Sequence, residues 1–139
     1  MRSKIEVHDF NEEGYKKLFH FEEWRIAILN YIEELEPLNI KYVEAHNKTD
    51  ETFVLLEGNC ILYLCDVLDG EIKDIQAVNL EKSKIYNIKK GVFHTHVLSK
   101  NAKLLVVENE NTSDINSPKI NLNQDQQMTL YSKMKQIWK

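Results

Sequence analysis

Glu44 to Gly58 reads EAHNKTDETFVLLEG, and the fold is decided by how this stretch is arranged. In an extended chain, side chains alternate between faces, so a strand over Ile40 to His46 points Glu44 and His46 the same way. Asn47 to Asp50 is turn chemistry, because Asn and Asp tolerate tight backbone angles and bond their own main chain. A reversal there brings Glu51 beside His46 on a neighbouring strand and clusters nitrogen and oxygen donors. Phe53, Val54, Leu55 and Leu56 then run without a polar break, which predicts a strand buried on both faces. Gly58 with Asn59 predicts a hairpin.

Working outward, KKGVFHTH from Lys89 to His96 supplies further imidazoles, with His94 and His96 on one face of a strand. Trp24 to Tyr31 reads as an early barrel strand with Arg25, Ala27, Leu29 and Tyr31 on one side. Glu33 to Pro37 is an acidic loop. Cys60 to Asp66 is a strand, Asp69-Gly70 a hairpin turn, and Glu71 to Leu80, with its interleaved charges, an edge strand. Lys84 to Ile88, Phe93 to Leu98 and Lys103 to Asn109 complete a series whose regular spacing predicts an all-β barrel or double sheet. Upstream, Asp9 to His20 is mixed, and with Gly14 interrupting its pattern it is expected to be irregular or a short helix. Asn111 to Pro118 is a loop by composition. From Leu122 to Trp138 the period changes to a helical one, with Asn123 and Gln126 placed as a cap and its return bond. The stripe Met128, Tyr131, Met134 and Trp138 is a packing face against the barrel or a second subunit.

The chain's bulk properties narrow the function classes. A length of 139 residues fits one domain with a single core. A formal net charge of -4 with no basic cluster argues against a nucleic-acid partner. The N-terminal MRSKIEVHDFNEEG has no apolar signal-type core and the apolar runs fall short of a membrane span, so a cytoplasmic protein without a membrane partner is expected. Cys60 and Cys65 face opposite sides of one strand and lie roughly 16 Å apart, too far to bond, as suits small apolar residues in a reducing compartment.

His46, Glu51 and Gly58 fall on the spacing of the first cupin motif, a histidine, four residues, a glutamate, six residues and a glycine. Gly91 and His94 in KGVFH resemble the second. Glu44 stands where the first motif usually opens with another histidine, Lys89 where the second usually has a proline, and Leu98 where an asparagine often follows. The resemblance runs from about Trp24 to Asn109. It implies a cupin-type double-stranded β-helix, or jelly-roll barrel, over residues 24–110, with the loop and C-terminal α-helix of 111–139 completing a single domain of 1–139.

In that topology His46, Glu51 and His94 meet inside the barrel near one mouth. Two imidazoles and a carboxylate would leave positions open on a divalent ion, which could be iron, manganese, nickel or zinc; the open arrangement suits the first three better than a closed structural zinc site. Glu44 is a further oxygen ligand or a catalytic base beside the metal. His96 is a substitute ligand, a donor behind the ligands or a catalytic acid/base group. Tyr42, on the face of Glu44, and Tyr86, from its own strand, are candidate substrate contacts, with core packing around a bonded hydroxyl as the alternative. His8 and His20 lie outside both motifs, on the surface.

WRIA, TDETFVLLEG and VVENENTS also resemble small bacterial cupins grouped with ureidoglycolate lyase. Two classes of function follow from the resemblance. One is a metal-dependent lyase, isomerase or dioxygenase of a small polar metabolite, an organic acid, ureide or sugar. The other is a non-catalytic small-molecule-binding or structural cupin with a degenerate or empty site. The resemblance also implies a homodimer.

Overall fold

The computed structural model describes residues 4–139, and Met1, Arg2 and Ser3, which open the stretch read above as lacking a signal, lie outside the described residues. Two five-stranded antiparallel sheets face each other. The first orders β1 (Gly14–Phe21), β2 (Trp24–Asn30), β9 (Lys103–Asn109), β4 (Glu51–Glu57) and β7 (Ile85–Ile88) as β1-β2-β9-β4-β7. The second orders β10 (Lys119–Asn121), β3 (Tyr42–Glu44), β8 (Phe93–Leu98), β5 (Cys60–Leu68) and β6 (Glu71–Asn79) as β10-β3-β8-β5-β6. A helix, α1 (Gln124–Ile137), follows. No helix among the described residues is long and apolar enough to cross a membrane.

Alternation along the strands builds two cores. Ala27 and Leu29 of β2, Phe53 and Leu55 of β4, Cys60 and Leu62 of β5, and Leu104 and Val106 of β9 fill the space between the sheets. Ile61, Tyr63 and Cys65 point the other way from β5 and join Val43, Val97 and Leu130 beneath α1. Cys60 and Cys65 are free, buried and on opposite faces, as the spacing requires.

Asp69 and Gly70 turn β5 into β6, both with positive φ (53° and 75°), as a tight hairpin of this hand demands. β6 is an edge strand, as its interleaved charges predict. The Asn123 side chain accepts from the Gln126 N–H while the Gln126 side chain accepts from the Asn123 N–H, closing the expected cap of α1.

Several expectations are corrected. The segment read as irregular or helical holds β1, with Gly14 opening the strand; a register shift between Lys17 and Phe19 breaks the alternation that would have revealed it. The antiparallel sheet therefore begins about ten residues before Trp24. β4 is buried on one face, with Leu56 exposed; β5 is the strand covered on both. Gly58-Asn59 makes no hairpin but carries the chain from one sheet to the other. The expected loop of 111–118 holds a short 3-10 turn at Asp114–Asn116, and β10 follows directly after it. In α1 the residue that anchors the packing is Leu130, fully buried, while Met128 is half exposed.

Candidate metal centre

The inward rows of the strands change from apolar to polar at one end of the barrel. On β4 the row is Leu55, Phe53, Glu51; on β9 it is Leu104, Val106, Glu108; on β2 it is Leu29, Ala27, Arg25; on β8 it is Leu98, His96, His94. These ends form the inner wall of a cavity of about 540 Å³ that also reaches Glu44, His46, Tyr42 and the 112–117 loop.

His46, Glu51 and His94 converge, with ligand atoms all within 4.8 Å of one another and all three residues buried. Glu51 Oε1 lies 3.1 Å from His46 Nε2 and 3.0 Å from His94 Nε2. Donors on bonds of about 2.1 Å at right angles about one ion stand about 3.0 Å apart, so the spacing fits a shared metal.

The outer nitrogens are held from behind. His94 Nδ1 donates to the Val92 carbonyl over 3.0 Å, which fixes the proton on Nδ1 because a carbonyl only accepts. The neutral ring then presents the Nε2 lone pair to a carboxylate oxygen, an arrangement that calls for a cation between them or a second proton on the ring. His46 Nδ1 pairs with Ser117 Oγ over 2.8 Å.

Burial disfavours charge on Glu51, but with protons on the ring nitrogens that face it, the hydrogen bonds from His46 and His94 reverse this and hold its carboxyl below the usual range. Burial likewise opposes charge on His46, outweighed by the bond to Glu51 and the charges of Glu51, Glu108 and Glu44, so its pKa is raised. Burial pushes Glu108 up to about 7, helped by the Glu51 carboxylate and opposed by Arg25.

The structure brings the remaining candidates to the cavity with one exception. Glu44 is half-buried in its wall, opposite His94 in the β3–β8 register, but is not one of the three converging donors. His96 is half-buried against Phe53; its Nδ1 is sealed without a partner, and burial and neighbouring His94 hold its pKa down to about 4. Tyr42 stands at the mouth with Lys119 Nζ 4.7 Å from its ring centre. Tyr86 is the exception. It packs into the inter-sheet core and its hydroxyl accepts from the Glu81 N–H at 2.9 Å, so it does not line the cavity, and the core-packing alternative describes it.

Sequence reasoning missed Glu108, Arg25, Tyr15 and Ser117. Arg25 was placed on the correct face of β2, and the row Leu104, Val106, Glu108 carries the same parity signal. Ser117 lies in a loop, where no period applies.

No family model matches the sequence, and no curated protein matches it. Solved structures share the fold. A cupin-2 domain protein from Shewanella frigidimarina superposes with a TM-score of 0.53 at 20% identity, over 73% of this chain and 85% of that one. An RmlC-like cupin with a double-stranded β-helix fold from Methanocaldococcus jannaschii gives 0.53 at 16% identity, over 77% and 92%. The TDP-fucose-3,4-ketoisomerase of Campylobacter jejuni gives 0.51 at 23% identity, over 70% and 68%. Strand order, motif spacing and these neighbours agree that the chain has the all-β cupin fold, a double-stranded β-helix followed by a C-terminal helix.

Proposed function

We propose that the chain holds a divalent metal ion with His46, Glu51 and His94 and binds a small, neutral, polar metabolite beside it. The observation that carries this reading is the His94 tautomer: with Nδ1 donating to Val92, the Nε2 lone pair faces Glu51 Oε1 at 3.0 Å, and a cation between them relieves the repulsion.

The cavity's charge narrows the ligand. Glu34, Glu44, Glu51, Glu108 and Asp114 line it against Arg25 and Lys41, and Arg25 is bound to Glu108. A carboxylate-rich wall disfavours organic acids and suits hydroxyl or amide groups, as in sugars and ureides. A bound ion would polarise a substrate oxygen and acidify a coordinated water.

The chain's own groups divide the remaining work. Glu44, half-buried at the wall, is placed to accept a proton; His96, neutral and lodged in the wall, is placed to hydrogen-bond the ligand. Leu29, Phe53 and Val106 keep water from the inner end. The same wall would also serve a non-catalytic binder, a reading favoured by the glutamate at position 44 standing outside the converging group.

Elemental analysis of protein purified without chelator tests the site. Wild type should carry an equivalent of divalent metal, and His46→Ala and His94→Ala should lose it; wild type without metal at every pH tried would sink the proposal. Neutral sugars and ureides should raise the melting temperature more than organic acids do. Turnover of a stabilising compound separates an enzyme from a binder.

A further inference from the structure

Three donors leave half of a six-coordinate ion's sphere unfilled, and a second carboxylate already faces it. Glu108 is 5% exposed, at the polar end of the inward row of β9. Its two oxygens are treated differently. Oε1 accepts from Arg25 Nη2 at 2.6 Å and from the Tyr15 hydroxyl at 3.0 Å. Oε2 is buried, has no hydrogen-bond partner among the described residues, and lies 3.9 Å from His46 Nε2.

A buried carboxylate oxygen without a donor is costly, and such orphans are rare unless an ion or a reacting group completes them. The cost falls on one oxygen only, because Arg25 and Tyr15 clamp the other and thereby set the direction of the carboxylate. That direction is toward His46. Glu44, at the position where the cupin motif usually has its first histidine, and Glu108 both stand outside the group of donors that lie within 4.8 Å of one another, but of the two only Glu108 presents a buried oxygen without a partner, 3.9 Å from His46.

We propose that Glu108 Oε2 is a fourth donor to the ion held by His46, Glu51 and His94, giving a set of two imidazoles and two carboxylates. The inference rests on the metal-binding reading above. Two carboxylates neutralise a divalent charge, and their hard oxygens move the preference toward manganese and iron(II) relative to a histidine-rich set. A neutralised ion also has less pull on an acidic ligand.

Cobalt(II) chloride titrated into chelator-stripped full-length protein tests this, followed by calorimetry and by the visible ligand-field spectrum. Wild type should bind, and Glu108→Gln, folded by circular dichroism, should bind at least about ten-fold more weakly with a shifted spectrum. Glu51→Gln serves as the reference for loss of an accepted ligand. Unchanged affinity and spectrum in Glu108→Gln, alongside loss in Glu51→Gln, overturn the role of Glu108 and leave the metal site standing. Failure of wild type to bind overturns both.

Should Glu108→Gln not fold, the metal-induced infrared difference spectrum of wild type decides the matter. Shifted stretches from two carboxylates are expected; a shift from one alone overturns the inference.

Discussion

The Gly91 N–H donates to the His46 carbonyl oxygen over 2.8 Å, so the loop that carries His46 is latched backbone to backbone to the turn that leads into β8 and His94. Asp50 adds a second latch. Its carboxylate accepts from the Lys90 N–H at 2.8 Å and the Asn87 amide at 2.9 Å, and pairs with Lys89 Nζ at 3.2 Å. Lys89, at the position where the second cupin motif usually has a proline, thus ties its turn to the first motif by charge. The convergence of His46, Glu51 and His94 follows from sheet pairing plus these ties across the mouth.

The Asp50 latch has a pH signature. The hydrogen bond from Asn87, then those from Lys90 and Lys89, hold the carboxyl down to about 2, below its ordinary value of about 4. A carboxyl lowered in the folded state contributes stability above its unfolded pKa and loses it as pH falls through the folded one. Asp50→Asn should therefore lower the urea midpoint at pH 7, and the gap to wild type should close as pH falls from about 4 toward 2. A gap that stays constant across that window would show that the ionised form matters little here.

Ser117 acts on the site through His46. Its hydroxyl pairs with Nδ1 at 2.8 Å and so sets the ring's orientation. Ser117→Ala should weaken divalent metal binding by about ten- to a hundred-fold while the thermal transition of the metal-free protein moves little. Isothermal titration with manganese or cobalt measures it; equal affinities would mean that the surrounding packing alone orients the ring.

Much of this architecture was legible in the sequence because its signals are local. Alternation marked β2, apolar runs and regular spacing between turn residues marked the strands from β4 to β9, the Asp69-Gly70 pair marked a hairpin, and Asn123 with Gln126 marked the helix start. His46, Glu51 and His94 were legible through the spacing of the two motifs. What escaped depends on relations between distant segments. The register shift in β1 hid its alternation, and three-residue β10 is too short to show a period. Gly58-Asn59 looks like a hairpin, and only the pairing of β4 with β9 and of β5 with β8 shows that the chain changes sheets there. Glu108 shares the parity of Leu104 and Val106, yet its meaning appears only when β2 brings Arg25 opposite it.

The sheet change at Gly58 makes a sharper demand on glycine than the hairpin at Gly70. Both have positive φ, 72° and 75°. A Cβ at residue 58 would stand 2.6 Å from Ala102 Cα and 2.7 Å from Ala102 N, whereas one at residue 70 meets nothing within 4 Å. Gly70→Ala should cost about 1–2 kcal/mol, the backbone term alone. Gly58→Ala should cost more, on the order of 3 kcal/mol or above, because the backbone at Ala102 has to move. Denaturant unfolding of the two variants measures the difference; equal losses would show that this crossing yields freely.

The helix and the metal site lie on opposite faces of the second sheet, which makes stability and function separable. Along β5, Cys60 and Leu62 point between the sheets while Ile61, Tyr63 and Cys65 point out beneath α1, where Leu130 is fully buried. The Tyr63 hydroxyl donates to the Leu130 carbonyl at 2.8 Å, fixing the helix on the sheet. Leu130→Ala removes the anchoring side chain and leaves a void among Val43, Ile61, Tyr63 and Val97, which should cost about 2–5 kcal/mol. No ligand and no lining residue of the inner cavity belongs to α1, so metal affinity, measured below the lowered melting temperature, should match wild type. A parallel loss of affinity would mean that the outer core sets the spacing of His94 on β8, and that helix docking and the metal centre form one cooperative unit.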